Sequence, residues 1–107
     1  MPDVSVVIPV CNEDENVLPL AREIHAALAG RYSFEQIFVD DGSTDKTGEM
    51  VLAARAQGMP EIRLLQHVAR SGQSAAVATG VRHARGRWIA TLDGDGQNDP
   101  ADFPRLL

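Results

Sequence analysis

This chain has a single cysteine, Cys11, in 107 residues. That excludes an internal disulfide and suits a reducing compartment. There is no apolar run of about 18 residues to span a bilayer, and no charged start followed by an apolar stretch of signal length. Basic residues are in deficit: 10 Lys and Arg against 15 Asp and Glu give a formal charge of −5. A nucleic-acid partner held by phosphate neutralisation would need the opposite balance. Internal repeats, linkers and low-complexity segments are absent as well. What is left is ordinary globular material, 44% hydrophobic and 23% charged, and one domain at most. The default expectation is a soluble, cytoplasmic chain.

What is present alternates. Val4 to Val10 is a β-branched, nearly all-apolar run, as expected of a strand covered on both faces. Asn16 can cap a helix with Pro19 in its first turn, and Val17, Leu20, Ala21, Ile24, Ala27 and Leu28 follow helical spacing up to Gly30. Phe34 to Val39 is a second strand, and Ser43 or Thr44 opens a second helix that Gly58 ends. Ile62 to Leu65 is a third strand. A helix over 72–84 follows, closed by Gly86, with Ala75, Ala76, Ala78 and Gly80 permitting close packing on a sheet. Arg87 to Leu92 is the fourth strand, with Trp88 expected in the core. The alternation predicts an α/β fold: a Rossmann-like parallel sheet with alternating helices and right-handed crossovers. Ligands of such sheets bind beyond the carboxyl ends of the strands, and four polar loops would converge there. Pro100 to Leu107 reads as the opening of a new helix, so a fragment is expected. The fourth strand would then lie near an unfinished edge, which invites pairing with a second copy.

Two acidic motifs stand at strand ends. Asp93-Gly94-Asp95 follows the apolar run Trp88 to Leu92, and two carboxylates of this kind suit a hard divalent cation, Mg²⁺ or Mn²⁺, with Gln97 as a third oxygen. A calcium loop fails, because Asn98 stands where Gly is needed and Pro104 where Glu is needed. A phosphatase with Asp93 as nucleophile would want a hydroxyl where Gln97 stands. A solvated acidic turn is the plainest alternative. The second motif is Asp40-Asp41-Gly42-Ser43-Thr44-Asp45. A tight turn with hydroxyl capping explains the Gly and the hydroxyls, but it does not need two adjacent acids that repel each other. A donor-rich ligand, such as a base imide or a ribose hydroxyl, does. Arg70-Ser71-Gly72 at a helix start suits phosphate or is plain surface charge. Cys11 has no nucleophile signature, and His25, His67 and His83 lack metal-ligand spacing and are expected to be structural or exposed.

Together, Val4 to Glu13, Phe38 to Asp45, Arg70 to Ala76 and Leu92 to Pro100 resemble family 2 glycosyltransferases. The last block most resembles the dolichol-phosphate mannosyltransferase branch and its bacterial polyprenyl-phosphate relatives. The resemblance runs through the whole chain in order. It implies a GT-A fold, represented here by its N-terminal half, and inverting transfer of a sugar from a nucleotide donor, UDP- or GDP-linked. It implies that Pro9, Asn12 and Glu13 line the nucleoside pocket and that Asp40 and Asp41, with Arg70 nearby, hold base and ribose. It further implies that Asp93, Asp95 and Gln97 ligate Mg²⁺ or Mn²⁺ on the diphosphate. A polyprenyl or dolichyl phosphate is the implied acceptor, which would place the full-length protein against the inner face of a membrane. Residues 1–107 would be a single nucleotide-sugar-binding portion, with the acceptor site and any general base beyond Leu107. Many relatives carry an aromatic residue where Cys11 stands. The rivals are a nucleotide-sugar-binding module without turnover, a metal-dependent phosphatase, and a phosphoacceptor switch domain. The last would place its acid pair after the first strand, not the second.

Overall fold

The structure is a computed structural model that describes residues 1–92. Strands β1 (Val4–Val10), β2 (Phe34–Asp40), β3 (Ile62–Gln66) and β4 (Trp88–Thr91) alternate with helices α1 (Asp14–Leu28), α2 (Thr47–Ala56) and α3 (Gln73–His83). All strand pairs are parallel, in the order β3-β2-β1-β4. The chain steps outward from β1 to β3, then crosses back to put β4 on the other side of β1. A right-handed crossover in both directions requires the helices to change face. The packing obeys: α1 and α2 cover one face and α3 alone covers the other.

Alternation along β1 divides the core, because successive side chains of a strand point to opposite faces. Val4, Val6, Ile8 and Val10 pack with Val17, Leu20, Ile24 and Leu28 of α1 and with Val51 and Ala54 of α2. Val7 meets Ile37, Val39 and Ala76 on the α3 face. Only Ala76 and Gly80 of the small-residue helix are buried against the sheet; Ala75 is half-buried and Ala78 exposed.

The strands lie where the pattern predicts, within a residue at each end. The helix starts differ. Helix α1 begins at Asp14 rather than after Asn16, so Pro19 falls inside it and deprives the Glu15 carbonyl of its helical donor. Four large side chains on the buried face, at roughly 2 kcal/mol each, outweigh that loss of about 3 kcal/mol. Helix α2 begins at Thr47, later than Ser43 or Thr44, because both hydroxyl residues are bonded to Asn12 instead. Trp88, expected in the core, is 56% exposed, and Ile89 is 45% exposed. Both belong to β4, which among the described residues pairs with β1 alone.

Candidate functional site

The crossing back of the chain makes the gap between β1 and β4 the switch point of the sheet, where loops on either side diverge. At that edge β1 runs into Cys11-Asn12-Glu13. Asn12 takes a left-handed conformation (φ 54°), which asparagine tolerates better than most residues. That twist lets Asn12 face the β2 loop from both ends. Its amide donates to Ser43 Oγ at 2.9 Å, and its Oδ1 accepts the Thr44 amide at 2.8 Å. The Glu13 amide donates to Thr47 Oγ1 at 2.9 Å. The first two loops are thus laced together through Ser43 and Thr44, the residues expected to cap α2, and through Thr47.

Asp40 and Asp41 are both buried, 4% and 5% exposed. Being consecutive at a strand end, they point apart, and each finds its own donors. Asp40 Oδ1 accepts the Ser43 amide at 3.0 Å, and Oδ2 lies 3.4 Å from Gln66 Nε2. Asp41 turns toward the loop after β3. Its Oδ1 is 2.8 Å from both the Ser71 amide and His67 Nδ1, and its Oδ2 accepts the Gly72 amide at 2.9 Å. Burial pushes Asp41 up, but the Ser71 amide, His67 and the Gly72 amide together hold it below the ordinary aspartate value. It is therefore a carboxylate at neutral pH. Repulsion between the two acids is answered by the chain's own donors, and each retains acceptor capacity for a ligand.

The third loop comes back over the first. Arg70 Nε and Nη2 lie 3.2 and 2.8 Å from Cys11 Sγ, and the thiol in turn reaches the Asp41 carbonyl at 3.4 Å. Gly42 makes this approach possible: a Cβ there would sit 2.6 Å from the Arg70 nitrogen, at φ 72°. Arg70 itself is exposed at the mouth. Pro9 is different, since it lies within β1, buried. The Leu92 amide donates to the Val7 carbonyl at 3.0 Å. In a parallel ladder the next bond would come from the nitrogen of residue 9, and proline has no N–H to give. Among the described residues the Leu92 amide is thus the last donor of the β1–β4 ladder, and Pro9 offers no donor in return.

Asp93, Asp95 and Gln97 lie outside the described residues. Among the described residues no group of three or more His, Cys, Asp or Glu is placed to hold a metal ion. Two carboxylates and an amide oxygen do fit Mg²⁺ or Mn²⁺ by donor chemistry. The structure thus brings Asn12, Glu13, Asp40, Asp41 and Arg70 to one edge, with Pro9 one layer below. Sequence reasoning missed the His67–Asp41 and Cys11–Arg70 contacts. The available signal was position: His67 directly follows β3, at the same edge as the acid pair. A cavity of about 410 Å³, lined by Ser33, Glu35, Arg55, Arg63 and Arg85 among others, opens at the opposite pole and contains none of these residues.

Residues 5–107 match the family model described as Glycosyl transferase family 2. Dodecaprenyl-phosphate galacturonate synthase of Rhizobium johnstonii is 42% identical over 108 residues, covering 98% of this chain and 31% of that protein. Undecaprenyl-phosphate 4-deoxy-4-formamido-L-arabinose transferase of Klebsiella pneumoniae is 42% identical over 107 residues, covering 97% and 32%. Among solved structures, the mannosyltransferase PcManGT from Pyrobaculum calidifontis in complex with GDP-Man and Mn²⁺ has a TM-score of 0.82 at 29% identity, covering 94% of this chain and 30% of that one. The chain spans about a third of the length of the curated relatives it matches.

Proposed function

This chain belongs to glycosyl transferase family 2, and on that footing we propose that it is the donor-binding portion of an inverting transferase that moves a sugar from a nucleotide diphosphate to a polyprenyl phosphate. Its sheet is the N-terminal part of a GT-A fold. The observation that carries the reading is the convergence of Asn12, Asp40, Asp41 and Arg70 at the switch point, with Leu92, the last described residue, at the end of β4 on the same edge. The names of the relatives point to a lipid phosphate as acceptor, and the GDP-Man and Mn²⁺ bound to the structural neighbour point to a nucleotide sugar with a divalent ion.

In this reading the residual acceptor sites of Asp40 and Asp41 take the base imide or the ribose hydroxyls. Arg70 stands at the mouth as a cation for the diphosphate or the base. Asp93, Asp95 and Gln97 would hold Mg²⁺ or Mn²⁺, which when bound would offset charge building on the leaving diphosphate. An oxygen of the acceptor phosphate forms a bond to the anomeric carbon while the bond to the diphosphate breaks, and the nucleoside diphosphate leaves. A phosphate monoester has a second pKa of about 6, so the acceptor is largely dianionic near neutral pH and needs no general base. No described helix is long and apolar enough to cross a membrane. Contact with the membrane would be peripheral as far as residues 1–92 are concerned.

The test is transfer by the full-length protein. Labelled nucleotide sugar and undecaprenyl phosphate should give an organic-extractable glycolipid and an equal amount of nucleoside diphosphate, only with Mg²⁺ or Mn²⁺. Asp93→Asn and Asp95→Asn should each reduce turnover by about a hundredfold or more. Near-wild-type transfer by either variant would sink the metal assignment. Donor binding without any transfer would favour the module that binds and does not turn over. Family membership favours transfer over a phosphatase using Asp93.

A further inference from the structure

We propose that His67 is a positioning residue of the donor site: through Asp41 it fixes the Ser71 and Gly72 amides and so holds Arg70 across the mouth. This rests on the donor reading above. The His67 ring sits between the end of β2 and the middle of α3, with 17% of its side chain exposed. Nδ1 is 2.8 Å from Asp41 Oδ1 and Nε2 is 2.8 Å from Thr79 Oγ1. An ionised carboxylate can only accept, so Nδ1 carries a proton and donates it. Thr79 has one hydroxyl proton and two places to send it. Its Oγ1 lies 3.1 Å from the Ala75 carbonyl and accepts from Arg82 Nη2 at 3.2 Å. When the hydroxyl serves Ala75, Nε2 donates to it; when it serves the ring, Nε2 accepts. Either arrangement leaves Nδ1–H donating to Asp41.

Asp41 then has its orientation fixed from behind while it works in front. A rotation of its carboxylate would release the Ser71 and Gly72 amides together. Residues 68–74 are all exposed, and the space beside Gly72 is empty. Besides Asp41, the Arg70–Cys11 contact and the backbone approach of Gly42 to Ala69 and Arg70 tie the segment down. Ser71 and Gly72 directly follow Arg70, so a loop freed from Asp41 would carry the guanidinium away from Cys11.

Two substitutions separate this role from simple packing. His67→Asn keeps a donor where Nδ1 stood and gives up Thr79. His67→Gln reaches toward Thr79 and gives up the donor to Asp41. Titrations of the full-length protein with UDP and with GDP, each with Mn²⁺, should show His67→Gln binding about tenfold more weakly and His67→Asn within about threefold of wild type. In the Arg70→Ala background, His67→Gln should cost clearly less than in the wild type, since the share of its effect that acts through Arg70 is already lost. Equal losses for Asn and Gln, or losses that add in full to Arg70→Ala, would overturn the proposal while leaving the donor site standing. Failure of the wild type to bind either nucleotide would overturn the donor reading and this inference with it. Amide hydrogen exchange of the wild type supplies a measurement free of any folding defect. The Ser71 and Gly72 amides should be protected without nucleotide, and fast exchange there would contradict the anchoring.

Discussion

Glu35 is 6% exposed at the foot of the sheet, opposite the donor edge, and it is held from three sides. Ser5 Oγ donates at 2.6 Å, the Arg85 amide at 2.7 Å and Arg63 Nη1 at 2.8 Å. Burial raises its pKa, but these donors more than reverse that, and the net direction is down. Asp41 is lowered in the same way. A carboxylate depressed on folding contributes stability above its unfolded pKa and loses it as pH falls through the folded one. Acid titration of the thermal midpoint should therefore show a decline that begins in the ordinary carboxylate range and continues below it. Glu35→Gln should flatten that decline, and an unchanged profile would deny Glu35 its part. At the donor edge the sensitive single residue is Gly42. A methyl there meets backbone rather than a side chain, and its φ is costly for any L residue. Gly42→Ala should push the β3 loop outward and weaken nucleotide binding by at least about tenfold, since one misplaced charged contact is worth that much. Titration with UDP or GDP reads it directly.

At the scale of elements, α3 depends on smallness. A Cβ at Gly80 would sit 2.4 Å from Val7 Cγ1 and 3.2 Å from Val39 Cγ2, both on fully buried, stiff side chains. Alanine gains about 1 kcal/mol in helix propensity, while overpacking a filled core costs about 1–3 kcal/mol. Gly80→Ala should thus lower the thermal midpoint by several degrees, and a rise would mean that α3 can lift off the sheet freely. The elements themselves were largely legible. The unbroken apolar run of β1 announces a strand buried on both faces, and the stops at Gly30, Gly58 and Gly86 each fall just past an observed helix end. Helix starts were less so, because Ser43 and Thr44 look like caps locally but bond to Asn12, more than thirty positions away. The place of His67 just after β3 was legible, but its bond to Asp41 was not, for the same reason: the partner is 26 residues earlier. Trp88 misled because aromatic character favours the core only where a strand has neighbours on both sides, and described β4 has one.

At the scale of the whole molecule, topology explains why so acidic a chain gathers its candidate site residues at one edge. Strand order β3-β2-β1-β4 parts the chain around β1, and Pro9 withholds a donor from the β1–β4 ladder beside Leu92. The placement of Asp40, Asp41 and Arg70 at that edge followed from counting strands. The opposed directions of the two acids did not, since they depend on donors supplied by another loop. The central claim is that this edge binds a nucleoside diphosphate together with a divalent ion. The direct measurement is the thermal midpoint of the chain with UDP and with GDP, each with and without Mn²⁺. A ligand at 100 times its Kd adds about 2.7 kcal/mol, several degrees for a domain of this size. One of the two nucleotides should raise the midpoint by that amount only when Mn²⁺ is present; a cooperative transition that neither nucleotide moves would contradict the account.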